Sequence, residues 1–199
     1  MRGGSGIDPE SCGNIIMAKK LLIITDDAGE SYEILYAYHR FLEAGWEPRI
    51  AATQKKLLNA VIHDFAPGWN TYIEKPGYSI QSHLTFSQVR VKDYEALMVI
   101  GGRAPEFLRH DPKLIKLVQG FHAQNKWLFA ICHGIQVLLA AGVVKGMRVT
   151  CYRNVRWEAQ AGGAEWVDEQ SVVDGKIITA QTWESHPAFY RHIFENLEA

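Results

Sequence analysis

Apolar runs of two different periods alternate along most of this chain. Residues 20–25 (KLLIIT) form an unbroken apolar run, the pattern of a parallel strand covered on both faces, and Asp26-Asp27-Ala28-Gly29 ends it in a turn. Over residues 31–44, Ile34, Leu35, Tyr38, Phe41 and Leu42 recur at helical spacing before Gly45 stops the pattern. Residues 48–53 read as a second strand, so a βαβ unit is predicted. The alternation lapses over residues 54–88. There Pro67-Gly68 and Pro76-Gly77 predict turns between short β-prone pieces at 60–65 and 71–73, a hairpin-like excursion near one sheet edge. Residues 94–100 (YEALMVI) resume the buried-strand pattern and end in Gly101-Gly102. Asp111 and Pro112 then predict the N-cap and first position of a helix running to residue 123.

The most informative stretch follows. Residues 127–131 (WLFAI) stop at Cys132-His133-Gly134, and a helical pattern begins at once, which predicts a sharp strand-to-helix turn that presents the cysteine. Gly142 and Gly146 frame a turn before a strand at 147–151, residues 154–161 read as helix, and Asp174-Gly175 predicts a hairpin continued by a strand at 176–180. Residues 187–197 read as the final helix. Together these elements predict a single domain over residues 17–199: a three-layer α/β/α sandwich, flavodoxin-like, with a mostly parallel central sheet and its site at the carboxyl ends of the strands. Residues 1–16 are rich in Gly and Ser, lack periodicity and precede a second methionine at Met17. They read as an expression leader or a disordered tail.

Composition narrows the function classes. A net charge of -1 with interspersed signs provides no basic stripe for nucleic acid, and no apolar run approaches the roughly 20 residues of a membrane span, so a cytoplasmic protein is expected. Three cysteines, at 12, 132 and 151, have neither metal-type nor disulfide-framework spacing; no metal and no cofactor are expected. Cys151 reads as a small core residue.

Cys132 is the leading nucleophile candidate, because helix amides at such a turn favour the thiolate and lower its pKa. His133 would point away from Cys132 in a regular strand, a rule that loosens at an elbow. It can orient substrate or share a proton, or be a core histidine satisfied by a carbonyl. Glu33, one turn past the end of the first strand, can reach the elbow as a protonated donor or stand as a solvated helix residue like Glu30 and Glu43. Gly101-Gly102-Arg103 leaves another strand end and can present amides to an oxyanion, with Glu106 close behind; Arg103 and Glu106 read equally well as a surface ion pair. His186-Pro187-Ala188 is similar to the His-Pro-Glu of class I glutamine amidotransferases, but Ala188 replaces the carboxylate. That argues against a triad and leaves His186 as a pocket residue. The aromatics Trp69, Tyr72, Trp127, Trp157, Trp166 and Trp183 form no regular platform and are mostly read as packing.

These pieces together resemble the ThiJ/PfpI superfamily, which includes proteins named intracellular protease I and plant and animal proteins assigned glyoxalase III and deglycase activities. The resemblance rests on Ala130-Ile131-Cys132-His133-Gly134 with Gly101-Gly102-Arg103-Ala104-Pro105-Glu106 upstream. Support comes from Tyr32-Glu33-Ile34, Ile62-His63-Asp64-Phe65, Glu74-Lys75-Pro76-Gly77 and Gly142-Val143-Val144-Lys145-Gly146. It implies that Cys132 is the nucleophile, Glu33 the protonated glutamate beside its sulfur and His133 its partner. It further implies that Glu106 meets the histidine of an adjoining subunit in a homo-oligomer: a dimer, trimer or hexamer. The activity it implies is cofactor-free conversion of glyoxal or methylglyoxal to a hydroxy acid, or removal of early glycation adducts. Peptide or amide hydrolysis stands second, and a redox-sensing stress chaperone using Cys132 oxidation third.

Overall fold

A computed structural model describes residues 18–198, so the reading of residues 1–16 as a leader or tail lies outside the described residues. Strand β1 (Lys20–Ile24) is followed by helix α1 (Ser31–Glu43) and β2 (Glu47–Ala52). The hairpin β3 (Leu57–Asp64) and β4 (Ile73–Gln81) comes next, then β5 (Leu84–Thr85) and β6 (Ala96–Val99). Two helices, α2 (Ala104–Leu108) and α3 (Pro112–Ala123), lead to β7 (Trp127–Ile131) and α4 (Ile135–Ala140). The chain closes with β8 (Arg148–Val149), α5 (Arg156–Ala161), β9 (Glu165–Trp166), β10 (Ser171–Asp174), β11 (Ile177–Ala180) and α6 (His186–Glu198).

Seven strands form the central sheet in the order β10-β11-β7-β6-β1-β2-β5, parallel throughout except for β10 against β11. The apolar runs explain the order. β1, β6 and β7 have nearly every residue buried, as strands covered on both faces must. On one face α1 and α6 pack together through Phe41 and Phe194, with ring centroids 5.1 Å apart; α3 and α4 pack on β7. Asp111 caps α3 by accepting from the Lys113 and Leu114 amides, and Pro112 occupies the first turn, as the sequence predicts. The three-layer, mostly parallel expectation therefore holds. None of the helices among the described residues is long and apolar enough to cross a membrane.

Three local expectations are corrected. The excursion over 54–88 is a long two-stranded sheet rather than two short pieces. Pro76-Gly77 makes no turn but lies inside β4, where the register shifts between Asn59 and Val61 and so tolerates a residue without an amide proton. The loop after Gly102 contains α2, too short for a periodic signal. The strand expected at 147–151 shrinks to β8, which pairs with β9 in a separate small sheet, and Cys151 follows it fully buried.

Adjacent strand ends are stitched together. Asp26, buried at the end of β1, accepts from the Thr53 amide at 2.8 Å and the Thr53 hydroxyl at 2.6 Å, tying the ends of β1 and β2. The Ala28 carbonyl accepts from Arg103 N–H at 2.8 Å, and Gly29 bridges Gly102. The loops that carry the candidate residues are thereby one structure.

Candidate active site

β7 delivers Cys132 with φ +60°, a left-handed conformation that costs a non-glycine residue about 1–3 kcal/mol and persists only where its surroundings impose it. Gly134 is part of that imposition. A Cβ there would stand 2.4 Å from the Val99 carbonyl oxygen, so only glycine lets the chain turn against the end of β6. A short 3-10 turn, Cys132–Gly134, precedes α4. Across the elbow, Gly101 faces the sulfur; a Cβ on it would lie 2.5 Å from Cys132 Cβ and 2.8 Å from Glu33 Oε2. The missing side chain is the space in which cysteine and glutamate meet.

Glu33 reaches that space from the first turn of α1 and is completely buried. Its Oε2 accepts the Gly101 amide at 2.8 Å, its Oε1 has no hydrogen-bond partner among the described residues, and the carboxyl borders Cys132 in the space beside Gly101. Burial, and then the negative charge of Glu30, push the Glu33 carboxyl well above the usual carboxylate range. The Cys132 thiol, 6 % exposed, is also pushed up, by burial first and by Glu33 second, while the Gly102 and His133 amides donate to the sulfur and oppose the rise. The sequence expectation of a lowered thiol is thus corrected: the amides are present, but burial outweighs them. Two buried acids side by side do not both ionise, so when the pair carries a charge it keeps one proton. Glu33 keeps it, because a second carboxylate faces Glu33 while two amides face the sulfur.

That second carboxylate was not expected. Glu30, likened above to exposed Glu43, is 1 % exposed, and its side chain accepts from Glu33 N–H at 2.6 Å as the N-cap of α1. Burial first raises it, to about 7, against the amides of Glu33, His63 and Tyr32. The spacing of two glutamates three apart at a helix start was the available signal, since it is the geometry of a cap.

His133 lies with Nδ1 3.4 Å from Cys132 Sγ, and burial lowers it to about 4. It is a neutral imidazole near pH 7, able to accept a proton. The amides expected to serve an oxyanion are otherwise engaged: Gly101 donates to Glu33, and Gly102 to the sulfur.

Arg103 does not pair with Glu106. Its guanidinium grips Glu74 with two bonds, 2.6 and 2.8 Å, tying the β3–β4 hairpin to the loop after β6. Glu74, held down to about 2 by Arg103, also meets His63 Nε2 at 2.9 Å. Burial keeps His63 below its ordinary value, so this contact is a neutral donor on a carboxylate and the ion pair is the one with Arg103. Glu106 is exposed on α2 and makes no side-chain hydrogen bond or ion pair among the described residues.

His186 is not a pocket wall. It is 2 % exposed at the start of α6, stacked on Tyr36 at 4.5 Å with Tyr32 and Tyr190 around it, and neither ring nitrogen has a partner. The helix begins one residue earlier than its periodicity implied, which turns the ring into the seam with α1. The walls come instead from aromatics, of which Tyr72 and Trp183 read as packing in the sequence and Phe65 and Tyr152 were not singled out. Tyr72 stands edge-on to His133, Tyr152 leans on both, and Phe65 joins Tyr152 to Trp183. Beyond Tyr152 a cavity of about 220 Å³ opens between Phe65, Asp168, Gln181 and Glu184. Among the described residues no cluster of three or more His, Cys, Asp or Glu side chains is placed to hold a metal ion.

The DJ-1/PfpI family model matches residues 19–196. Deglycase PfpI of Pyrococcus furiosus is 34% identical over 162 residues, 81% of this chain and 89% of that protein. Protein DJ-1 homolog D of Arabidopsis thaliana is 35% identical over 179 residues, 86% of this chain; the match spans 46% of that protein, about half its length. Among solved structures, a two-domain protein of Anabaena variabilis containing DJ-1/ThiJ/PfpI-like and ferritin-like domains has a TM-score of 0.80 at 25% identity, over 90% of this chain and 48% of that one.

Two predictions follow from this geometry. Glu33→Leu keeps the site buried but removes the acid proton that the thiolate accepts, a charged hydrogen bond worth about 1.5–3 kcal/mol. The rate of Cys132 alkylation by iodoacetamide at pH 7 is expected to fall about tenfold or more, with its midpoint at higher pH; a midpoint at lower pH would show that Glu33 is ionised and merely repels the thiolate. His186 is lowered by burial to about 4 from an ordinary 6.5. Its neutral ring therefore contributes stability that is complete above about pH 6.5 and lost as pH falls toward 4, on the order of 3 kcal/mol. In His186→Phe, which retains the stack, the melting temperature is expected to fall less than in wild type between pH 6.5 and 4.

Proposed function

The chain belongs to the DJ-1/PfpI family, and from that premise we propose that it is a cysteine-dependent enzyme that converts small vicinal dicarbonyls, glyoxal or methylglyoxal, to hydroxy acids without a cofactor. The observation that carries this reading is the burial of Cys132 and Glu33, with His133 against the sulfur and the rings of Tyr72 and Tyr152 packed on His133. Access to so buried a thiol favours small substrates. Peptide hydrolysis needs a groove that lays an extended chain beside the sulfur, and enclosure disfavours it.

In this mechanism the Cys132 thiolate adds to the aldehyde carbon, forming a C–S bond, and the new alkoxide takes the proton held by Glu33. Neutral His133 then removes the hydrogen from that carbon and returns a proton to the neighbouring one through an enediolate. The product of this shift is a thioester of the hydroxy acid. Water cleaves it, and the thiol and carboxyl regain the single proton they share. The net change is addition of one water to methylglyoxal. A cytoplasmic, reducing setting belongs to the same reading, because the chemistry requires a free thiol.

The proposal extends to assembly. Glu106, exposed and unbonded on α2, is available to meet His133 of a second copy, making a homo-oligomer whose site crosses the interface.

Purified protein is expected to form lactate from methylglyoxal without glutathione, and Cys132→Ala to lose at least ~1000-fold in rate; equal activity in the two proteins would overturn the nucleophile assignment. Mixing inactive Cys132→Ala with inactive Glu106→Ala subunits is expected to restore a fraction of wild-type activity. No recovery in mixtures shown to exchange subunits would place the whole site within one chain.

A further inference from the structure

Resting on that reading, the geometry points to Tyr72 as a further catalytic residue: we propose that its hydroxyl donates the hydrogen bond that the substrate's developing oxyanion requires. The need arises from the backbone. An addition to a carbonyl places negative charge on oxygen, and sites of this kind meet it with preorganised donors. Here the Gly101 amide is engaged by Glu33, and the Gly102 and His133 amides by the sulfur. Glu33 serves the first alkoxide, so a donor for the other oxygen of the enediolate must come from another side chain near the elbow.

Tyr72 meets that requirement. Its ring stacks on His63 with centroids 3.8 Å apart and 17° between planes, and stands edge-on to His133 at 6.0 Å. His63 is itself immobilised: Nε2 bonds Glu74, Glu74 is gripped by Arg103, and the His63 carbonyl accepts from Trp183 Nε1 at 3.0 Å. Next to it, the Thr71 hydroxyl lies 3.4 Å from the Tyr152 hydroxyl, pinning the end of the loop. The Tyr72 hydroxyl has no protein partner of its own among the described residues, whereas that of Tyr152 also accepts from Asn154 at 3.0 Å. Burial first, then the charges of Glu106 and Cys132, push the Tyr72 phenol up to about 12, so it carries its proton throughout the working range. The β3–β4 hairpin thus acquires a role. It carries His63 and Glu74 and holds a hydroxyl-bearing ring against His133, next to the nucleophile, and vicinal dicarbonyls, whose enediolate has two oxygens to serve, gain more from it than simple aldehydes.

The test is Tyr72→Phe, which retains the ring on His63 and His133 and removes only the hydroxyl. The kcat for methylglyoxal is expected to fall about 100-fold, the loss typical of one oxyanion donor, with KM within a few-fold of wild type. The rate and pH midpoint of Cys132 alkylation should stay unchanged. A kcat within threefold of wild type overturns the proposal, and so does a loss matched by an equal loss of alkylation rate, which would place the effect on the thiol. A second measurement separates this inference from the reaction on which it rests. Methylglyoxal should protect Cys132 of the wild type from alkylation through hemithioacetal formation, and protect Tyr72→Phe less well. Weaker protection in a protein whose wild type forms no lactate would uphold the Tyr72 contact and sink the dicarbonyl reaction; equal protection of both proteins overturns the contact.

Discussion

Two buried acids that cannot both ionise are the constraint on which the rest of this site depends. Glu33 and Cys132 meet where Gly101 has no side chain, in space that excludes water and supplies one amide to the carboxyl and two to the sulfur. In water a carboxyl would give up its proton long before a thiol. Here burial and the neighbouring Glu30 push the carboxyl up while two amides favour charge on the sulfur, which suits the carboxyl to donate a proton and the thiol to become the anion.

Such an arrangement opposes folding, and the structure shows where the opposition is met. The left-handed Cys132 and the buried carboxylates all destabilise the folded chain. Against them stand the ties between strand ends: Asp26 on Thr53, the Ala28 carbonyl on the Arg103 amide, and Arg103 on Glu74. The core strands β1, β6 and β7 are buried on both faces behind these loops. The strained residues therefore sit at the ends of the most rigid elements, where a shift of one loop would have to move the others.

The hairpin lies outside the repeating βα units of the sheet. It brings His63, Tyr72 and Glu74 to an edge that the βα units alone would leave open, and with Tyr152, Phe65 and Trp183 it forms an aromatic wall that meets the elbow at His133. Enclosure serves two ends at once. It raises both acids by removing water, and it limits what can approach the sulfur to small molecules.

The chain's own periodicity determined the scaffold. Unbroken apolar runs at β1, β6 and β7, helical spacing in α1, the cap at Asp111 and the stop at Cys-His-Gly are local patterns, each carried by residues close together in sequence, and they were enough for the sheet, its layers and the elbow. Tertiary structure decided whatever depends on residues far apart. Glu30 became a buried acid and Arg103 a partner of Glu74 rather than Glu106, because loops from separate strands meet at one edge. His186 turned into a helix seam, and the thiol was raised rather than lowered, because burial is set by elements that the elbow sequence does not contain. The stretch between residues 54 and 88 was least legible for the same reason: its strands are stabilised by each other and by Arg103, not by an apolar period of their own. A strand that ends in a cysteine announces a nucleophile. Which proton it shares, and what covers it, are properties of the fold.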